Sequence, residues 1–319
     1  AEYSENDLFG ASIFLSGRLL TVGHTHADPN GVSLAGAAYR YEVGEGEQAS
    51  FIETVLAPDG QQMDIFGAKV SQTGNLISIG APYADPDGKS KAGAAYVYHV
   101  ELDGMATNLA KLVAPDGGPD DQFGNQVSQS GNLLAIGAHK AEVLGEAKAG
   151  AVYLYRVESN GSIALLTKLT SPDNEASGKF GGALASSGNL LAIGSRSADL
   201  PGKKNAGAVY LYRVESNGSV ALLTKVTAPD AHAYDIFGHS VQLSGDLLAV
   251  GATFADFDGV ANCGAVYVYE LEDNGSAKFL TLITSPDKKA DEHFGEKISL
   301  LGRKLLVGSP SADPDGVED

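Results

Sequence analysis

The sequence predicts an all-β chain folded as a β-propeller, and three observations predict it. Phe-Gly recurs at Phe9-Gly10, Phe66-Gly67, Phe123-Gly124, Phe180-Gly181, Phe237-Gly238 and Phe294-Gly295, always 57 residues apart. Self-similarity at a fixed spacing means one supersecondary unit copied in series. Each copy holds four short β-prone runs punctuated by turn signatures, with no helical period. Glycine, 40 of 319 residues, is as abundant as a turn-rich β chain requires. The copies start near residues 7, 64, 121, 178, 235 and 292, which gives five full four-stranded blades and a half blade in one domain, 1–319.

The second copy shows how each element arises. Gly67–Gln72 is a β-prone run that ends at Thr73-Gly74-Asn75, a tight-turn signature. Leu76–Ile79 is a brief apolar strand, stopped by Gly80. A longer connection, Ala81 to Ala92, carries Asp85-Pro86-Asp87-Gly88. Gly93–Val100 is the strongest strand, aromatic and β-branched on both faces, as sheets stacked between neighbours need. Asp103-Gly104 turns it into a fourth strand, Asn108–Val113, closed by Ala114-Pro115-Asp116. The Tyr-x-Tyr pairs of the third strands take ten of the 13 tyrosines, which points to packing between blades rather than a ligand cage. Ala149–Asp173 and Ala206–Asp230 differ at three of 25 positions, so these outer strands are scaffold.

The recurring order is Phe-Gly, then an apolar strand ending Gly-Ala-x, then a strand such as Gly264-Ala265-Val266-Tyr267-Val268-Tyr269. Gly-Ala-Pro itself stands at Gly80-Ala81-Pro82. In these residues the whole chain resembles the FG-GAP repeat family, the blades of the integrin α-subunit amino-terminal propeller and its bacterial relatives. The resemblance implies an extracellular propeller used for adhesion or binding. Many members carry an Asp-rich calcium loop between the first two strands. Here that place holds Ser16-Gly17-Arg18, Thr73-Gly74-Asn75 and Ser130-Gly131-Asn132, too short and too poor in carboxylates to cage an ion. The sixth copy stops inside its second long connection. Either the chain belongs to a longer six- or seven-bladed protein, or another subunit supplies strands to the open edge.

Composition narrows the functional classes. The net charge of −18 argues against nucleic acid and anionic membrane surfaces as partners. No apolar run reaches the roughly 18 residues of a membrane span, so membrane insertion is not expected. The single cysteine, Cys263, excludes an internal disulfide and reads as a buried thiol. In an antiparallel meander alternate connections leave opposite ends of the strands. The connections between strands 2 and 3 and between blades therefore share one end, and most of the 40 acidic residues fall in them.

Within that acidic end, Asp28-Pro29-Asn30-Gly31, Asp85-Pro86-Asp87-Gly88, Asp256-Phe257-Asp258-Gly259 and Asp313-Pro314-Asp315-Gly316 repeat one pattern. Oxygens at i and i+2 before a glycine open a calcium loop, and they equally make an Asx turn. Asp85, Asp87, Asp256, Asp258, Asp313 and Asp315 are the candidate metal ligands, and calcium is the one cofactor considered. Asp59/Asp64, Asp116/Asp121 and Asp230/Asp235 lie on adjacent connections and could complete a site. The positions that vary most between copies precede these loops and include His26, Tyr83, His139, Lys140, Arg196 and Phe254. Variation on constant flanks marks either a ligand face or drift in exposed loops. Asn160, Asn217 and Asn274 begin Asn-Gly-Ser, which is both a glycosylation acceptor and a hairpin turn.

No singular catalytic constellation stands out among near-copies. The expectation is a non-enzymatic, secreted or cell-surface propeller that binds a protein or glycan partner, or self-associates through its incomplete last blade. Calcium held by the acidic loops would stabilise it. The alternative is a polysaccharide lyase or hydrolase using the acidic end of a propeller scaffold.

Overall fold

The computed structural model describes residues 8–44, 48–158 and 160–312. Among them are 22 strands and two single-turn 3₁₀ segments, Pro29–Gly31 and Pro86–Gly88. They form two compact units, one running to Glu142 with Val152–Leu169, the other Val143–Ala151 with Thr170 onward. The first unit carries three four-stranded sheets. These are β1 Phe9–Ser16, β2 Leu19–His24, β3 Ala37–Val43 and β4 Ala49–Val55; then β5 Lys69–Thr73, β6 Leu76–Ala81, β7 Ala94–Val100 and β8 Ala106–Leu112; then β9 Gln126–Ser130, β10 Leu133–Ala138, β11 Ala151–Val157 and β12 Ile163–Thr170. The second unit carries β13 Phe180–Ser187, β14 Leu190–Ser195, β15 Ala208–Val214 and β16 Val220–Val226; then β17 Phe237–Ser244, β18 Leu247–Ala252, β19 Ala265–Leu271 and β20 Ala277–Ile283. It ends with a two-stranded sheet, β21 Lys297–Leu301 and β22 Lys304–Gly308.

Every sheet is a consecutive antiparallel meander, so the sheets are the expected propeller blades, five complete and one half. β5 starts two residues later than its sequence suggests, at Lys69. Third strands are buried along most of their length, and fourth strands are the exposed ones. The Phe of Phe-Gly anchors blades two to five. Phe66, Phe123, Phe180 and Phe237 are fully buried and meet Tyr96, Tyr153, Tyr210 and Tyr267 edge-to-face at 5.3–5.5 Å. The second tyrosine of a pair reaches back to the preceding blade: Tyr98 donates to Leu56 O at 2.7 Å and Tyr269 to Thr227 O at 3.0 Å. Cys263 is buried, as its sequence context suggests.

Neighbouring blades within each unit meet backbone to backbone at two glycines. A Cβ placed on Gly80 would lie 2.0 Å from the Gly124 carbonyl oxygen of the next blade, and one on Gly251 2.2 Å from that of Gly295. Gly23 against Gly67 and Gly194 against Gly238 repeat the approach. Both glycines of the repeat signature are therefore steric requirements. Gly80→Ala should cost more than about 2–3 kcal/mol, because backbone must move. Gly74 has open space at its Cβ and only a left-handed φ of 55°, so Gly74→Asn should cost less than about 1 kcal/mol. Chemical denaturation of the two variants tests the contrast, and equal losses would refute it.

Blade one departs from the others at its centre. Arg40 is 1% exposed where other blades place Val97, Leu154, Leu211 and Val268. Its guanidinium pairs with buried Glu53 and donates to Gly104 O of the next blade at 2.7 Å, while Ala106 N donates to Glu53 Oε1 at 2.9 Å. Arg40 Nε and Nη2 have no hydrogen-bond acceptor, so the pair is an expensive way to fill this space. Arg40→Ala should destabilise by about 3–5 kcal/mol because Glu53 is left buried and unpaired. Arg40→Leu with Glu53→Thr, the residues of other blades, should fall within about 1 kcal/mol of wild type. A double variant as unstable as Arg40→Ala would show that the ion pair itself holds the blades.

Candidate functional site

Two sets of loops meet at one end of the blades because the chain pairs them directly. The connection between strands 2 and 3 of one blade runs parallel to the segment that enters the next. Met63 N donates to Ser33 O at 3.0 Å and Phe66 N to Ala35 O at 2.9 Å; in the second unit Ser177 N donates to Ala147 O and Phe180 N to Ala149 O. The opposite end is closed by tight turns, where Val100 N donates to Asn75 O and Val214 N to Asn189 O. Asn160, Asn217 and Asn274 lie in the turns between strands 3 and 4 at the same end. Each side-chain oxygen accepts the backbone N–H of the serine two residues on, at 2.8–2.9 Å. The hairpin accounts for all three asparagines, which are exposed.

At the loop end the first aspartate of each pattern is tied to its own backbone. Asp85 Oδ1 accepts Lys91 N at 2.7 Å and Asp256 Oδ1 accepts Asn262 N at 2.8 Å, each spanning six residues. Asp28 and Asp199 do the same. The acceptor bond lets Lys91 and Asn262 hold positive φ values of 50° and 49°. Asp87 and Asp258 also sit at φ 54°, and Asp258 Oδ2 receives Lys288 Nζ at 2.5 Å. Asp313 and Asp315 lie outside the described residues. One oxygen of each leading aspartate is thus committed, where calcium asks for six to eight oxygens. No group of three or more His, Cys, Asp or Glu side chains that could hold a metal ion occurs among the described residues.

The neighbouring aspartates build a repeated stitch that sequence reading missed. Asp59 Oδ1 accepts Tyr96 OH at 2.8 Å, and its Oδ2 accepts Lys111 Nζ at 2.5 Å. Asp116 binds Tyr153 and Lys168 alike at 2.6 Å, and Asp173 binds Tyr210 and Lys225. Each lysine also lies over the ring of its tyrosine at 5.3–5.6 Å. Asp230 keeps Tyr267 at 2.7 Å, but Leu282 stands where the lysine would be. The constant offsets of 37 and 52 residues are the signal that could have revealed the stitch. Desolvation pushes the Asp59 and Asp116 carboxyls up, yet hydrogen bonds from lysine and tyrosine outweigh it and hold both below the usual range. Asp64, Asp121 and Asp235 are nearly buried, and burial pushes them up despite backbone donors from Gln61, Gly118 and His232. Asp85 and Asp256 add repulsion to Asp64 and Asp235, which shows that the two aspartate sets do approach each other.

Each variable position lies at this end of its own blade. Tyr83 takes Lys91 Nζ over its ring at 5.2 Å, Lys140 N donates to Asp121 O, and His139 N donates to Asn125 Oδ1. His26 is half-buried before the first such loop. In the second unit Phe254 stacks on His293 with centroids 4.5 Å apart. Arg196 is half-buried within electrostatic reach of His239. A cleft of about 180 Å³ lies between Pro29–Gly36 and Leu56–Gln61, and Lys89 narrows its counterpart in the next blade by donating to Gly117 O at 2.7 Å.

The opposite shifts of Asp116 and Asp121 give opposite pH behaviour on one loop. Asp116 is held low, so its stabilisation is present above the unfolded value near 3.8 and is lost as pH falls through the folded value. Asp121 is pushed up, so its charged form costs stability at neutral pH, and that cost disappears as pH falls through its folded value toward 3.8. Asp116→Asn should lower Tm at pH 7 by about 1–3 °C, a deficit that closes below about pH 4. Asp121→Asn, which keeps an acceptor for Gly118 N, should match or exceed wild-type Tm at pH 7 and lose any advantage toward pH 4. Thermal melts from pH 3 to 8 read both, and parallel curves would contradict the assignment.

The sequence profile of the FG-GAP repeat matches residues 50–98, 106–155, 165–212 and 221–269. A protein from Lactobacillus plantarum aligns with a TM-score of 0.56 at 17% identity, covering 91% of this chain and 74% of that one. A functionally unknown protein from Desulfotomaculum acetoxidans aligns with a TM-score of 0.52 at 11% identity, covering 95% and 75%. At such identities the likeness concerns the fold alone. No curated protein matches the sequence.

Proposed function

Because the chain belongs to the FG-GAP repeat family, whose repeats are typical of extracellular proteins, we propose that it is a secreted or cell-surface binding module rather than an enzyme. One observation carries this reading. The scaffold contacts repeat with little change from blade to blade, while the side chains displayed on the loops between strands 2 and 3, beside the stitched segments, differ from blade to blade, as Tyr83, His139, Lys140, Arg196 and Phe254 do. A rigid frame presenting individualised loops is how a repeat fold makes a recognition surface. No helix among the described residues is long and apolar enough to cross a membrane.

The acidic loops draw divalent cations by charge rather than by a cage, since the leading aspartates spend an oxygen on their own backbone. Assembly is the second arm of the reading. Among the described residues β22 pairs only with β21, and Leu301 and Leu306 are 80% and 74% exposed. An apolar strand edge of this kind accepts a third strand, from a continuation of this chain or from another polypeptide.

Binding of the purified protein to immobilised glycans and to candidate surface proteins tests the module. Tyr83→Ala and Phe254→Ala should weaken a retained ligand by about tenfold, and Leu102→Ser at the turn end should not. Ligand loss on Leu102→Ser alone, or turnover of a polysaccharide, would overturn the reading. Calcium and magnesium at equal millimolar concentrations should raise Tm alike, and more than sodium chloride of the same ionic strength. A rise with calcium alone would instead establish a caged site.

A further inference from the structure

The second unit gathers cations where a protein of net charge −18 would be expected to neutralise them. Lys179 precedes β13, and because Phe180 pairs with Ser195, it lies beside Arg196 at the end of β14. Gly194, two residues before Arg196, abuts the Gly238 carbonyl, which brings His239 of the next blade alongside. His293 and Lys297 approach His239 from the last blade. No other blade supplies this set: the positions of Arg196 hold Thr25, Pro82, His139, Thr253 and Pro310, and those of His239 hold Ala11, Ala68, Asn125, Gly182 and Glu296.

The two central groups have nothing to bind. The Arg196 guanidinium makes no hydrogen bond or ion pair among the described residues, although it is half-buried. Neither ring nitrogen of His239 has a hydrogen-bond partner there, and Nδ1 is shielded from solvent. Of the nearby carboxylates, Glu296 sits 3.7 Å from Lys297, and Glu292, 3% exposed with its Oε2 unpaired, bonds neither Arg196 nor His239. Burial and the charges of Arg196, Lys297, His293 and Lys179 hold His239 down to about 4. Burial also lowers Arg196. An unneutralised guanidinium beside an unsatisfied imidazole is destabilising unless an anion completes it. At the rim His293 stacks on Phe254, which is 37% exposed and offers an apolar ring face.

We propose that Arg196 and His239, with Lys179, His293 and Lys297 around them and Phe254 at the rim, bind the oxyanion of an acidic saccharide. The guanidinium fork takes a carboxylate or sulfate through two parallel hydrogen bonds, and the aromatic rim takes a sugar face. The proposal narrows the binding-module reading to one ligand class and rests on it only in treating the ligand as external.

Titration of the full chain with sodium glucuronate, sodium sulfate and glucose, at constant ionic strength, tests it. The histidine ring signals are followed by NMR and binding by calorimetry. Glucuronate or sulfate should bind saturably, glucose should not, and the His239 midpoint near 4 should move up on binding. Arg196→Gln should weaken the oxyanion by about tenfold or more while the variant melts no lower than wild type. Arg303→Gln, in the exposed turn between β21 and β22 at the opposite end of the blade, should change nothing. Preference for glucuronate identifies a uronate and preference for sulfate a sulfate ester. No saturable response to either anion, or unchanged binding by Arg196→Gln, overturns the site. Retention of array ligands by that same variant would leave the broader module standing.

Discussion

Close approach of backbone to backbone between neighbouring blades is the constraint from which the rest of each unit follows. Where Gly80 meets Gly124 and Gly251 meets Gly295 there is no room for one methyl group. That contact fixes the spacing of adjacent sheets, and the spacing decides which side chains fit between them. A fully buried phenylalanine with a tyrosine edge fills the gap in four blades. Longer or differently shaped groups would hold the glycines apart. The 57-residue period without insertions is the covalent counterpart of this fixed separation.

Function is placed by what the contact leaves over. Sheets locked at their glycines send both sets of long connections to one end, and parallel backbone hydrogen bonds fasten those connections together. The Asp–Tyr–Lys stitches then anchor each entering segment to strands 3 and 4 of the blade it enters. A loop held at both flanks presents its side chains with little loss of conformational entropy on binding. Carboxylates near one another at that end are costly, and the stitches absorb part of the cost by giving Asp59, Asp116 and Asp173 a lysine and a phenol each.

Strand order, blade count, the buried thiol and the packing role of the tyrosine pairs were legible in the sequence, because each rests on a local pattern or on the period itself. The meaning of the Asp-x-x-Gly loops was not. An Asx turn and the opening of a calcium loop want the same residue at the same place, and only the Asp85–Lys91 and Asp256–Asn262 bonds show how that oxygen is used. The cluster around His239 was invisible for a different reason. Its members come from three successive repeats and from different positions within the repeat, so no periodic comparison lines them up. Arg40 and Glu53 were hidden likewise, since a charged pair 13 residues apart on two strands looks like any pair of surface charges until both prove buried.

A chain of near-copies faces a problem of addressing. Segments as alike as Ala149–Asp173 and Ala206–Asp230 carry almost the same instructions for docking, so a nascent blade has little in its outer strands to tell one neighbour from another. Errors of this kind shift assembly by a whole period, and the repeated contacts would tolerate them. The Arg40–Glu53 pair sets blade one apart by composition alone: the other blades have only apolar or hydroxyl side chains at its two positions, while the groups it meets on the next blade, Gly104 O and Ala106 N, are backbone that every copy supplies. A feature that adds little to the depth of the native well thus labels one copy, and the choice of its neighbour is left to the short connections that tether successive blades.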